Sequence, residues 1–213
     1  MWVEEIIKAV SNYGITFVIT AIVLYYLFKV SNVFYVKFER KMINTHAKEL
    51  KEKWPQTIEK NNLIHQLLYK SMYEFGWDRA YIFEYHNGGH SISGIDFLKA
   101  SNTYEVVNSR IAPHQISLQN LPVGVFAYWN LRVLNREIIN KKIDEIERED
   151  LGTYQILKQD GVKSVYIIGL YDAKGYPIGF FGLDYINNDM PQLTEKQKKD
   201  LDVISYQISG LLY

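Results

Sequence analysis

The spacing of apolar and polar positions changes character along the chain, and each change marks a segment. Residues 9–28 carry no charge. As a helix rising about 1.5 Å per residue, such a run reaches roughly 30 Å, the thickness of a bilayer's hydrocarbon core. Within residues 15–28 the polar interruptions are the hydroxyls of Thr16 and Thr20, which can bond back to helix carbonyls. Residues 30–36 are also uncharged, so the helix can continue while Lys29 extends its ammonium towards the headgroups. Trp2 on one side and Tyr25, Tyr26, Phe34 and Tyr35 on the other suit the two membrane interfaces. A transmembrane anchor over residues 1–29 is expected. A cleaved signal peptide needs a basic start and a small-residue cleavage site; Glu4 and Glu5 stand in that start, and no alanine occurs between Ala21 and Ala47.

Residues 30–55 read as a helical stalk leaving the membrane. Val33, Val36, Ile43, Ala47, Leu50 and Trp54 fit successive a and d positions of a heptad, with Arg40 interrupting one of them. That pattern fits either a solvated stalk or a parallel homodimer. Pro55 is expected to break the helix, because the residue before proline is pushed out of helical geometry.

Beyond the stalk, residues 56–213 predict an α+β domain. Ile58, Leu63, Leu67, Leu68, Met72 and Phe75 recur at helical spacing, and Gly76 follows as a stop. Residues 79–87, RAYIFEYHN, read as a strand, and a glycine-bearing loop at 88–94 leads to a second strand near 97–107. After Pro122, residues 123–140 alternate in helical fashion, whereas KKIDEIERED at 141–150 reads as a solvated helix face or loop. Residues 163–171 are nearly all apolar and lead through the turn residues Asp172, Ala173, Lys174 and Gly175 into an antiparallel return strand at 178–186. Thr194 is placed to cap a closing helix whose stripe is Leu201, Ile204, Ile208, Leu211 and Leu212. The order predicts an antiparallel sheet with helices packed on one face.

Charge orients this architecture. Lys8 alone precedes the apolar run, while Lys29, Lys37, Arg40, Lys41, Lys48, Lys51 and Lys53 follow it. Basic residues stay on the cytoplasmic side, so the N-terminus is expected outside and the C-terminal domain in the cytoplasm. The 213 residues balance 24 basic against 24 acidic side chains, which excludes a globally basic nucleic-acid binder. The basic cluster next to the membrane suits anionic lipid headgroups. With no cysteine in the chain, disulfides, thiolate metal sites and cysteine nucleophiles are excluded.

The strand RAYIFEYHN, the hairpin SVYIIGLYDAKGYPIGFFGLDY and the closing LTEKQKKDLDVISYQISGLL together resemble the GAF family of small-molecule sensor domains, over roughly residues 56–213. PAS-like sensor domains share much of this layout. The resemblance implies an antiparallel-sheet domain that binds a small molecule. The cyclic-nucleotide subset of that family reads N-K-x(n)-F-x3-D-E; Phe180 and Asp184 match F-x3-D, but Tyr185 stands in place of the Glu and the pair Asn140-Lys141 lies far upstream. Methionine-sulfoxide reduction and covalent bilin attachment, both known in the family, need cysteines.

The remaining chemistry is concentrated in the first two strands. His86 and His90 sit four apart with Glu84 and Asp96 nearby, but Gly88 and Gly89 between them indicate a loop, and no metal site is expected. Glu84 and Glu105 at strand ends read as solvated carboxylates, and no nucleophile elbow, phosphate loop or dinucleotide fingerprint occurs. The candidate ligand-binding residues are His86, Asn87, Ser101, Tyr104 and Glu105, beside the 88–96 loop. The same polar groups fit a ligand pocket or a hydrogen-bonded network that pins the loop. The expected function is a membrane-anchored, non-enzymatic sensor of a small polar metabolite that signals to a separate partner, with no resident cofactor. The alternative is an interaction protein of phage or bacterial type, holin-like or membrane-remodelling, whose domain holds no ligand. A hydrolase using Glu84 or His86 is a third and weaker option.

Overall fold

The computed structural model describes residues 2–90, 96–187 and 192–213. By their internal contacts they form two units, one ending at Thr57 and the other spanning Ile58–Tyr213.

In the first unit, α1 (Trp2–Tyr13) ends at Gly14, whose φ of 69° is open to glycine at little cost. Then comes α2 (Ile15–Phe75), which continues into the second unit. Its stretch Val18–Thr45 is long and apolar enough to cross a membrane, a test that a signal sequence also passes. The Thr20 hydroxyl donates to the Thr16 carbonyl at 2.8 Å, keeping that polar group within the helix. Pro55 lies inside α2 and does not end it. Proline removes one helical hydrogen bond and crowds the carbonyl four residues earlier, but strong helix formers flank Pro55 on both sides and the helix continues to Phe75.

The second unit is built on one antiparallel sheet of six strands: β1 (Arg79–His90), β2 (Asp96–Val107), β3 (Leu121–Pro122), β4 (Ile139–Lys142), β5 (Ser164–Tyr171) and β6 (Pro177–Tyr185), in the order β3-β2-β1-β6-β5-β4. Aromatic and β-branched side chains fill β1, β5 and β6 because the sheet is covered on both faces. On one face, Ile64, Leu68 and Met72 of α2 pack with Leu201, Ile204 and Ile208 of α6 (Glu195–Leu212) against Ala80, Ile82 and Leu183. The other face carries α3 (Ala127–Leu134), α4 (Ile143–Glu149) and α5 (Leu151–Gln159), with Trp129, Val133, Ile146 and Leu157 packed over Phe83, Val165 and Phe180. The two long helices thus share a face, and three short helices occupy the opposite one.

The segment expected to be one helix over 123–140 is divided. A 3₁₀ turn, Val123–Phe126, precedes α3, Arg136 adopts a φ of 60°, and β4 then joins the sheet edge. Ile139 pairs with Ile167 and is fully buried, so sheet pairing overrides local helical spacing. The 141–150 run likewise contributes Lys141 and Lys142 to β4 and buries Ile146 beneath α4.

Candidate functional site

Strand register brings charge into the core. Arg79 opens β1 directly opposite Asp184 of β6, and Tyr81 lies between Glu105 of β2 and Gly182 of β6. Gly182 has no side chain because the Tyr81 ring lies across it; a Cβ there would stand 2.3 Å from the ring. The ring's hydroxyl donates to Asp184 Oδ1 at 3.0 Å.

Arg79, 3% exposed, meets three carboxylates. Nη1 lies 3.1 Å from Asp160 Oδ2 and 3.3 Å from Asp184 Oδ2, and Nε lies 3.2 Å from Glu105 Oε1. Asp160 follows α5 as its C-cap, where the helix dipole disfavours an anion; the guanidinium offsets that cost. Glu105 Oε2 accepts the backbone N–H groups of His114 and Gln115 at 2.7 Å each, and His114 Nδ1 lies 3.5 Å from Asp160 Oδ1. These contacts tie the segment 108–120 over the outer edge of β2, where the Asn102 N–H also donates to the Leu118 carbonyl at 2.9 Å.

Three carboxylates around one guanidinium leave an excess of negative charge away from water. Burial pushes the Asp184 carboxyl up to about 7, with Asp160 and Glu105 adding to the rise and Arg79 and the Tyr81 hydroxyl opposing it. Burial also raises the Tyr81 hydroxyl, reinforced by the adjacent Asp184. Burial works against the Arg79 charge, but attraction from Asp184, Glu105 and Asp160 outweighs it and raises its pKa. Neighbouring Asp78 behaves oppositely to Asp184. Although burial disfavours its charge, the N–H groups of Asn187 and Ile186, at 2.8 and 2.7 Å, hold its carboxyl below the usual range.

This cluster forms the polar end of a cavity of about 50 Å³ between the sheet, α3, α5 and the 108–120 segment. Phe83, Phe126, Trp129 and Phe180 supply aromatic walls, and Leu118 from the covering segment and Leu121 from β3 close it. Arg79 Nη2, Thr153 Oγ1 and Trp129 Nε1 belong to lining residues and have no hydrogen-bond partner among the described residues. Such a volume accommodates a water molecule or two; a metabolite would require Leu118 or Leu121 to withdraw.

The five residues expected to share a ligand do not converge. Glu105 alone among them lines this cavity. His86 Nε2 and Ser101 Oγ meet at 2.8 Å, and Ser101 Oγ also accepts the Asn120 N–H at 2.9 Å, a pairing that pins β1 to β2 and the approach to β3. Tyr104 donates to Asn61 Oδ1 at 2.7 Å and packs its ring edge-on to His65 of α2. Asn87 is exposed. Strict alternation would have put Ser101, Thr103 and Glu105 on one face. Instead the register slips at Thr103, because Ile82 pairs with Tyr104 while Phe83 pairs with Asn102. This bulge sends Asn102 and Glu105 together towards the cavity. The loop expected to cover the site includes residues 91–95, which lie outside the described residues. Among the described residues, no group of three or more His, Asp or Glu is arranged to hold a metal ion.

Arg79, Tyr81, Asp160 and Thr153 escaped the sequence reading. The available signal was Asp184, the one charge near the end of a strand otherwise made of aromatic, aliphatic and glycine residues, and Arg79, which opens the apolar half of β1.

Solved structures superpose on this chain. A GAF domain of Synechocystis sp. PCC6803, in its photoproduct state, superposes with a TM-score of 0.56 at 13% identity, over 72% of this chain and 93% of that one. The PixJ GAF domain of Thermosynechococcus elongatus, in its blue-light-absorbing form, gives 0.58 at 12% identity over 74% and 86%. The GAF domain region of a Geobacter sulfurreducens protein gives 0.54 at 17% identity over 76% and 97%. This is a GAF fold. At these identities the likeness is one of fold alone. No family model matches the chain, and no characterised protein matches it in sequence. In this GAF fold the charged end of the cavity is built from β1, β2, β6 and the end of α5.

Proposed function

We propose that the chain is a single-pass membrane protein whose cytoplasmic GAF-fold domain senses a compact, neutral, planar polar metabolite and signals to a separate partner. The observation that carries this reading is the cavity's polar end. Arg79 Nη2 and Thr153 Oγ1 are buried there without partners among the described residues, and leaving such groups unbonded costs about 1–3 kcal/mol each. They call for an acceptor such as a carbonyl oxygen, while the surplus of carboxylates repels an anion. Aromatic walls suit a flat ring. Entry requires Leu118 and the segment tied to Glu105 to move, which links occupancy to the outer edge of β2 and gives the domain two arrangements for a ligand to select between. Binding rather than catalysis is favoured because each carboxylate in the cluster is already engaged by Arg79, Tyr81 or backbone N–H groups. The basic flank after the apolar span supports the cytoplasmic orientation, and the a/d pattern of residues 33–54 supports a parallel homodimer of the stalk.

A second reading, a ligand-free interaction scaffold, draws on the aromatic side chains that leave only about 50 Å³ open. Native mass spectrometry of the full chain released from detergent separates the two. The sensor reading expects a retained small molecule that is lost on Thr153→Val while the thermal transition persists. If no molecule is retained and no polar metabolite raises the melting temperature, the scaffold reading replaces it.

A further inference from the structure

The part of α2 that follows the uncharged residues 30–36 is charged on one side. Successive helical residues turn by about 100°, so Lys37, Arg40, Lys41, Lys48 and Lys51 fall within an arc of about 100°, together with Asn44. No residue on that arc is acidic. Lys37, Arg40, Asn44, Thr45, Lys41 and Lys48 line one shallow groove on the helix surface. The Thr45 hydroxyl is spent on the Lys41 carbonyl at 2.9 Å. Among the described residues, Glu52 approaches the stripe at 3.8 Å from Lys48, and both side chains of that pair are mostly exposed, so it neutralises little. Tyr35, Phe38 and Met42 project from other sides of the helix, also exposed.

Distance gives this one-sidedness a meaning. From Lys37 to Lys51 the helix rises about 21 Å, whereas attraction to a charged surface fades over about 8 Å at physiological salt. A helix leaving the membrane upright would hold Lys48 and Lys51 out of reach. A helix leaning towards its basic side would bring all five cations to the headgroups together. We propose that this face of α2 lies against the cytoplasmic leaflet and recruits anionic phospholipids, so that the first turns beyond the span are a lipid-reading surface. The inference rests on the reading of α2 as a membrane span.

The chain has no cysteine, so a single fluorophore can be attached through Asn44→Cys on the stripe or Met42→Cys away from it. The full chain is reconstituted in phosphatidylcholine vesicles containing phosphatidylglycerol, and quenching is compared between equal amounts of phosphatidylglycerol and phosphatidylcholine, each spin-labelled near its headgroup. The expected result is at least about threefold stronger quenching by the anionic lipid at position 44, a smaller ratio at position 42, and a ratio near one at high salt or with Lys41→Gln, Lys48→Gln and Lys51→Gln combined. A ratio near one in the parent chain, or one unchanged by the triple substitution, overturns the proposal and leaves the stripe to an acidic protein partner. Flotation of the same vesicles tests the anchor separately: a chain that floats with a ratio of one refutes the lipid inference alone, and a chain that fails to float refutes both.

Discussion

Tyr81 and Gly182 illustrate how a single position can organise the buried charge. The Tyr81 ring occupies the space above Gly182, and in that position its hydroxyl reaches Asp184. Any side chain at 182 must displace the ring and leave the Asp184 carboxyl with one donor fewer. Gly182→Ala is therefore expected to destabilise the domain by about 2–3 kcal/mol through overpacking and a lost buried hydrogen bond, read as a lowered midpoint in chemical denaturation of the full chain in detergent. A change below about 0.5 kcal/mol would mean that the ring relocates freely and does not position Asp184. The glycine's role could not be inferred from IGFFGLDYI alone, where it reads only as a weak point in a strand. The need for it arises from Tyr81, about a hundred residues upstream.

At the scale of elements, the most strongly patterned segments were the most legible. The closing helix was visible from its stripe and from Thr194, and the structure adds the reciprocal half of the cap: Gln197 N–H donates to Thr194 Oγ1 at 3.3 Å, and Gln197 Oε1 accepts the Thr194 N–H at 2.9 Å. Because α6 packs Leu201, Ile204 and Ile208 into the core, loosening its first turn should be felt by the whole domain. Thr194→Ala is expected to cost about 1 kcal/mol, measured by thermal unfolding, while Thr194→Asp should retain most of the stability; equal losses in both would show that the cap is not the cause. The hairpin of β5 and β6 was equally plain from its turn. Pro55 and residues 123–140 were not, for opposite reasons: a local breaker was outvoted by the helix on either side of it, and a local helical pattern was outvoted by pairing with β5.

For the whole molecule, Asp184 sets an unusual pH dependence. Its folded-state value of about 7 lies above the 3.8 of an unperturbed Asp, so between roughly pH 4 and 7 the folded protein binds more protons than the unfolded chain. Its contribution to stability is therefore largest at the acidic end of that window and declines as pH rises towards 7. Asp78 has the opposite sign, but its lowered value confines its effect to below about pH 4, where protonation removes its stabilisation. The full chain is expected to melt at a higher temperature near pH 5 than near pH 8. Asp184→Asn, which imitates the protonated form, should flatten that slope; an unchanged slope would assign the effect to another group. The sequence by itself determined the apolar span, the basic flank, the first two strands, the β5–β6 hairpin, the closing helix and the α+β class, because these follow from periodicity and charge within windows of ten to twenty residues. It did not determine the site. Arg79, Glu105, Asp160 and Asp184 come from four separate segments, and only the register of β1 with β2 and β6, the slip at Thr103 and the position of the end of α5 place them around one guanidinium. Their shifted protonation follows from shared burial, a property of the packed molecule that no local window of sequence contains.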